Sequence, residues 1–320
     1  MTKNIWWMLL IPIFLTGCGY FAVHFAPEKL PSTTRTHAAE QADDLFWKTL
    51  HGGQYEQIQT VLNALTAAYL KNPNDAITAA HIGWMHAWRL SEQARMTKIP
   101  ATITDDAVLS RKYFEEAVRL NPKDARYLGF LGGLTVAEGS IHKDEKLVRK
   151  GYYILLDSIH AWPEFNYFTA GYVTSRLPSD SEKFREGLEW QWKDFEVCSG
   201  EKPDRTNPDY ARYMGLYTTE GKKRVCWNSW IAPHNFEGFF LNMGDMLVKS
   251  GDWRTAQKIY ANAKLSADYE RWKFRDILEE RMAQAEANVA RFNAPPDATG
   301  RVTNLIMLQS AFACTGCHQE

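Results

Sequence analysis

Apolar residues recur every three or four positions from about residue 37 almost to the end of the chain, and alternation of the strand type is scarce. Short turn-forming stretches interrupt the pattern, and a polar linker that contains proline runs from Ala26 to about Thr36. The longest periodic stretch, Tyr269 to Phe292, predicts one amphipathic helix that ends before Pro295 and Pro296. The pattern therefore predicts an all-α protein.

Parts of this pattern are similar to one another. The stretches Asn72-Pro73-Asn74-Asp75 and Asn121-Pro122-Lys123-Asp124 each precede an apolar helical segment, in which Gly83 or Gly132 lies ten residues after the proline. A later copy has Gly244, then Gly251-Asp252-Trp253 at the expected turn, then Ala256, Tyr260 and Ala263. These residues resemble the tetratricopeptide repeat (TPR), a helix-turn-helix unit of about 34 residues.

The resemblance implies a TPR-like solenoid of helical hairpins. In that arrangement Gly244 and Ala256 lie where the two helices of a unit come closest, and Tyr260 fills the space beneath them. The helix predicted at Tyr269 to Phe292 would cap the last unit, because stacked repeats leave an open apolar end. Since the family binds other proteins, the repeat surface is also expected to bind a protein partner, and a redox protein if the chain carries a haem.

The middle of the chain fits the repeat poorly. It is rich in tryptophan and turn-forming residues, and it contains Cys198 and Cys226. We expect a disulfide-stapled irregular section there. The expected divisions are a signal peptide (1–17), a linker (18–36), N-terminal TPR-like repeats (37–163), the irregular aromatic-rich section (164–235), a TPR-like repeat with its capping helix (236–292) and a C-terminal segment (293–320).

The most specific motif is Cys314-Thr315-Gly316-Cys317-His318, two residues before the end of the printed sequence. Two cysteines with this spacing and a following histidine are typical of c-type haem attachment. The thiols of Cys314 and Cys317 would form thioethers with one porphyrin, and His318 would be an axial ligand of the iron. The motif therefore predicts one covalent haem c.

Two other interpretations of the motif stay open. Cys314 and Cys317 could form a disulfide without a cofactor, or bind a metal. Zinc needs four ligands at suitable spacing, and the sequence has no second Cys-x-x-Cys motif or paired histidines to complete such a site.

The start of the chain has the layout of a secretory signal: Lys3 precedes an apolar run from Ile5 to Leu15. Leu15-Thr16-Gly17-Cys18 resembles a bacterial lipobox, which implies cleavage before Cys18 and attachment of a lipid to that cysteine. The alternative is a single uncleaved transmembrane anchor that continues through Val23. Both place the protein in the bacterial cell envelope, on the periplasmic side of a membrane.

The number of cysteines and the composition give further expectations about a disulfide, about nucleic-acid partners and about the core. With Cys18 assigned to lipid and two cysteines to haem, Cys198 and Cys226 remain, and in an oxidising compartment they are expected to form a disulfide rather than two buried free thiols. The chain has 37 basic and 38 acidic residues, and this balance predicts no nucleic-acid partner. A hydrophobic content of 45% is ample for a packed core.

A low-spin haem usually needs a second axial ligand. The candidates considered are His81, Met85, His86, His160, His234 and Met307. None stands out: His86 occupies the repeat position of a packing tyrosine, and His81 is expected to be exposed. No catalytic motif of the common hydrolases, kinases, metalloproteases or deaminases is found, so an enzyme is not expected.

The first hypothesis is therefore a membrane-anchored, periplasm-facing TPR protein that carries one c-type haem and transfers electrons with a protein redox partner. The second is a haem-free lipoprotein scaffold that organises an envelope assembly. The third is a haem-dependent enzyme or sensor with an open iron site.

Overall fold

The computed structural model describes residues 19–228, 235–295 and 306–309. The chain divides into two compact units, one ending at Pro31 and the other beginning at Ser32. In the first unit, residues 19–24 are helical. The second unit contains α-helices and short 3-10 turns, and no strand occurs in the described ranges. The prediction of an all-α protein is confirmed for these residues.

The α-helices of the second unit, in chain order, are α1 (His37–His51), α2 (Ile58–Lys71), α3 (Ala76–Ser91), α4 (Ile103–Leu120), α5 (Ala125–His142), α6 (Glu145–Ala161), α7 (Pro163–Thr174), α8 (Glu182–Ser199), α9 (Glu237–Ser250), α10 (Trp253–Asn262), α11 (Arg275–Ala283) and α12 (Ala285–Phe292).

The recurrent Asn-Pro-x-Asp stretches end one helix and begin the next. Asn72 and Asn121 have φ of −142°, outside the helical region, and close α2 and α4. Asp75 and Asp124 are the N-caps of α3 and α5, and their Oδ1 atoms accept from the backbone N–H two residues on, at 3.0 and 3.2 Å. An N-cap carboxylate satisfies a backbone donor that has no partner within its helix. The same four residues therefore produce the same turn twice.

Consecutive helices pack as hairpins: α1 with α2, α3 with α4, α5 with α6, α7 with α8, and α9 with α10. Glycines allow close approach within these hairpins. A Cβ at Gly83 would lie 2.9 Å from the Phe114 ring, and one at Gly132 would lie 2.8 Å from a backbone nitrogen of α6. At Gly244 a Cβ would lie 2.1 Å from Cε1 of Tyr260. Larger side chains would therefore separate the paired helices, as carbon–carbon contacts need about 3.5 Å.

The segment after α10 differs from its prediction. The single helix expected from Tyr269 to Phe292 is wrong: a 3-10 turn at Tyr269–Arg271 is followed by α11 and then by α12, with a break at Gln284, where φ is −107° and ψ is 16°. The break lets α12 pack against both α9 and α10.

The section 164–235, which was expected to be irregular, contains more α-helix than its sequence indicated. Helices α7 and α8 occupy most of 163–199 and pack as a hairpin, and the part without α-helices begins only after Ser199. A disulfide joins Cys198 to Cys226, with the two Cα atoms 5.6 Å apart, as expected from the cysteine count. Inside the loop that it closes, Tyr213 packs against Phe195 of α8, with ring centroids 5.2 Å apart.

Candidate functional site

Several of the residues singled out from the sequence lie outside the described residues. They are Cys314, Cys317 and His318 of the predicted haem motif, Cys18 of the predicted lipobox, and His234. The described segment nearest to the haem motif in the chain is the 3-10 turn Met307–Gln309, with Ile306 before it. The site is therefore built here from the contacts of that segment.

The segment at 306–309 is anchored to the folded helices. Ile306, Met307 and Leu308 are all buried, and the turn contacts both α9 and the 3-10 turn Glu92–Arg95 that follows α3. Met307 and Leu308 both have a φ of 58°, in the left-handed region that side chains other than glycine rarely adopt. Such a conformation persists only where the surrounding contacts enforce it. Residues 306–309 are thus held by tertiary contacts.

A buried carboxylate on α9 makes the polar part of this anchor. The backbone N–H of Met307 donates to Oδ2 of Asp245 at 2.9 Å. On the other oxygen, the hydroxyl of Tyr260 donates to Oδ1 at 2.7 Å, and Nε of Arg281 lies 3.5 Å from the same atom. Asp245 is completely buried and Arg281 is nearly so. Three elements far apart in sequence therefore meet at one carboxylate.

Burial is the main cause of the pKa shifts in the cluster formed by Asp245, Tyr260 and Arg281. Burial raises the pKa of Asp245 above its ordinary value, against the opposing effects of Arg281 and of the two hydrogen bonds. Burial and the adjacent carboxylate raise the pKa of Tyr260 well above its ordinary value, so its hydroxyl remains a donor. The cluster acts as a fixed acceptor for the backbone of the segment before the haem motif.

Asp245 was missed by the sequence analysis. The sequence did contain a hint of its role, because Asp245 is the only charged residue in the apolar run Phe239 to Val248. An acidic residue in such a run is expected to be buried, and buried acidic side chains rarely lack a partner. Its role depends on Met307, 62 residues later in the chain, and no local pattern identifies that pairing.

His81 is buried, so the expectation that it is exposed is wrong. Its Nδ1 lies 2.7 Å from Oδ1 of Asp43, and its ring stacks on Phe46 with centroids 3.9 Å apart. Arg35 contacts both Asp43 and Asp75. Burial lowers the pKa of His81, which favours a neutral ring that donates to Asp43. These contacts explain His81 as part of the core between α1 and α3.

The other candidates for a second axial ligand have separate surroundings. His86 lies with Nδ1 2.6 Å from Oδ1 of Asp106 and stacks on Tyr113. Met85 is completely buried, and His160 is exposed at the end of α6. Met307 is buried in the anchored segment. His81, Met85 and His86 lie on α3, whereas His160 lies at the end of α6 and Met307 in the 3-10 turn at Met307–Gln309.

Within the described ranges there is no group of three or more histidine, cysteine, aspartate or glutamate residues suited to a metal ion. None of the helices in those ranges has the length and apolar character needed to cross a bilayer. Comparison of the chain with protein families, with curated proteins and with solved structures found no match.

Proposed function

We propose that this chain is a membrane-anchored, periplasm-facing helical-repeat protein that carries one covalent c-type haem and exchanges electrons with a protein redox partner. The observation that carries the proposal is the motif formed by Cys314, Cys317 and His318. In this proposal the two thiols bind the porphyrin covalently and His318 is an axial ligand. The haem, when bound, supplies a one-electron carrier.

The anchored segment supports this function. A carrier group must be held in a defined place to exchange electrons with a docked partner. Here Ile306, Met307 and Leu308, which precede the motif by several residues, are buried, and the N–H of Met307 donates to Asp245. Asp245, with Tyr260 and Arg281 around it, holds the backbone of Met307 and so fixes one end of the motif-bearing segment to α9. In the proposal this is the part that the protein plays in positioning the carrier.

We also propose that the five hairpins are TPR-like repeats that form a solenoid. Support comes from the glycines of the first helices, such as Gly83 and Gly244, which meet aromatic residues of the second helices, Phe114 and Tyr260. The position of α12 against α9 and α10 supports its role as a cap. The repeat surface would then select the redox partner.

The disulfide supports the proposed compartment. Disulfides such as Cys198–Cys226 persist mainly in oxidising environments, which include the bacterial periplasm. Export is also what the sequence from Lys3 to Cys18 predicts, with a lipid on Cys18 as the proposed membrane anchor. The same hairpins favour a second function, a haem-free envelope scaffold, if the motif cysteines carry no haem.

The test is a pyridine haemochrome spectrum and a haem stain of the denatured protein. The protein is produced in a host with the cytochrome c maturation machinery, beside a Cys314→Ala/Cys317→Ala variant. We expect a c-type band that survives denaturation and is absent from the variant. A colourless protein from a host that matures a control cytochrome would eliminate electron transfer and leave the scaffold function.

A further inference from the structure

The segment 19–25, which follows Cys18 in the chain, exposes four large apolar side chains to solvent. Tyr20, Phe21, Val23 and Phe25 are between 58% and 79% exposed. Residues 19–24 are helical, and the backbone N–H of Phe25 donates to the carbonyl of Phe21 at 2.9 Å. Single exposed apolar residues are common on proteins, whereas a contiguous patch of them marks an interaction site. The segment therefore presents an apolar surface that needs an explanation.

The aromatic rings of this segment are aligned along the helix. The rings of Tyr20 and His24 stack with centroids 5.6 Å apart, and those of Phe21 and Phe25 stack with centroids 6.0 Å apart. Each pair spans four residues, which places both of its rings on one side of the helix. Edge contacts between Tyr20 and Phe21 and between His24 and Phe25 join the two pairs. The four rings thus form one continuous aromatic surface.

The function of a spacer does not account for this surface. No lysine, arginine, aspartate or glutamate occurs from Asn4 to Pro27, and Glu28 and Lys29 follow at once. A spacer between a membrane anchor and a folded body needs a polar chain of sufficient length, and residues 28–36 meet that need. It gives no reason for four exposed rings in the residues before them. The change from apolar to charged residues at Glu28 is instead typical of the boundary of a membrane.

We propose that Tyr20, Phe21, Val23 and Phe25 bind the interfacial region of the lipid bilayer, beside the membrane anchor. This inference rests on the membrane anchor at Cys18 in the proposed function. Phe25 is seven residues beyond Cys18, and seven residues at the helical rise span about 10 Å. An interfacial segment buries its apolar face about 5 to 10 Å deep between headgroups and acyl chains, where aromatic side chains are favoured. The exposed surface is therefore within reach of the bilayer that holds the anchor.

An uncleaved transmembrane anchor leads to the same contact. A membrane-spanning helix needs about 20 residues, so a span that begins at Ile5 ends near Phe25. The aromatic surface then lies at the outer boundary of the bilayer, as it does beside a lipid on Cys18. Since the segment carries no charged residue, its binding depends on apolar contact and not on anionic lipid.

The test measures whether position 25 lies in the membrane. Phe25→Cys is introduced into the full chain together with Cys314→Ala/Cys317→Ala, so that the result does not depend on a haem. The new thiol receives an environment-sensitive fluorophore, and the chain without Phe25→Cys gives the background labelling. The protein is reconstituted through its own anchor into vesicles of phosphatidylethanolamine and phosphatidylglycerol. These vesicles contain a phospholipid that is spin-labelled at the headgroup end of its acyl chain.

We expect the spin-labelled lipid to quench the fluorophore at position 25 by about twofold or more. The same quenching is expected in vesicles of phosphatidylcholine alone, because no charge is involved. Adding Tyr20→Ser, Phe21→Ser and Val23→Ser should remove most of the quenching, since it removes the apolar contacts and leaves the anchor. These residues are exposed, so the substitutions should leave the circular dichroism spectrum unchanged. A fluorophore at Tyr153→Cys, another exposed aromatic position, should not be quenched.

The proposal is overturned if the anchored protein shows no quenching at position 25, or equal quenching at positions 25 and 153. It is also overturned if the quenching survives the serine substitutions, because tethering alone then explains it. Fluorescence that decreases with protein density and not with spin-labelled lipid identifies a second copy of the chain as the occupant instead of lipid. In all these cases the chain remains in the membrane fraction and the proposed anchoring stands. A chain absent from that fraction refutes the anchoring and this inference together.

Discussion

Replacing Gly244 by alanine tests the contact that brings α9 and α10 together. The added Cβ would lie 2.1, 2.4 and 2.8 Å from three carbon atoms of the Tyr260 ring. Since carbon atoms need about 3.5 Å, the ring must retreat by more than 1 Å. Tyr260 is completely buried, and its hydroxyl is 2.7 Å from Oδ1 of Asp245. A retreat of that size away from Asp245 breaks this hydrogen bond.

Three contributions set the size of the effect. Overpacking a core costs about 1 to 3 kcal/mol. Loss of a hydrogen bond to a charged group costs about 1.5 to 3 kcal/mol. Alanine has a higher helix propensity than glycine, and this offsets the loss by about 1 kcal/mol. We therefore expect Gly244→Ala to lower the free energy of unfolding by about 2 to 5 kcal/mol, the sum of these contributions.

The assay is urea denaturation followed by far-ultraviolet circular dichroism. Gly215→Ala is the control, because no atom lies within 4 Å of a Cβ built there, and it should change stability by less than about 1 kcal/mol. Adding Tyr260→Leu to Gly244→Ala should cost less than the sum of the two single changes, because the smaller side chain makes room. Equal stability of the Gly244→Ala and Gly215→Ala variants would refute the close-contact argument.

The remaining predictions concern the anchor, the disulfide and a buried histidine. Asp245→Ala removes the acceptor of the buried Met307 N–H, so the amide of Met307 should exchange hydrogen at least tenfold faster; unchanged exchange would show that apolar burial alone holds the segment. Replacing Cys198 and Cys226 by alanine should lower the free energy of unfolding by about 3 to 4 kcal/mol in urea denaturation, and a loss below about 1 kcal/mol would contradict this. Burial lowers the pKa of His81, so the unfolded chain binds more protons there below about pH 6.5, and stability should fall as the pH decreases from that value. His81→Gln should flatten this part of the stability curve, measured by denaturant midpoints between about pH 5 and 8, whereas an unchanged slope would mean that other groups cause it.

The features that the sequence predicted are those with local causes. The turns at Asn72 and Asn121 depend on four consecutive residues, and the capping bonds of Asp75 and Asp124 span two residues. The pairing of Cys198 with Cys226 followed from the number of cysteines left for an oxidising compartment. The turns and their caps needed no knowledge of distant parts of the chain, whereas the disulfide was inferred from the cysteines of the whole sequence.

The features that the sequence did not predict depend on contacts between distant residues or on a helix break that has no sequence marker. The break at Gln284 has no proline or glycine, and the apolar residues of α11 and α12 stay in phase across it, so periodicity gives no warning. His81 is polar, yet Asp43 and Phe46 of a different helix make its burial favourable. The anchor at Asp245 needs a partner 62 residues away.

The bond between Asp245 and Met307 also limits where the haem motif can be. Gln309 ends the described segment and Cys314 is five residues later, a length of chain that spans at most about 17 Å when fully extended. Any group on Cys314 is therefore tethered near α9 whatever conformation those residues adopt. Such a short tether gives the group a high effective concentration at nearby surfaces, on the millimolar scale. A partner that docks there would meet the group without a second diffusional search.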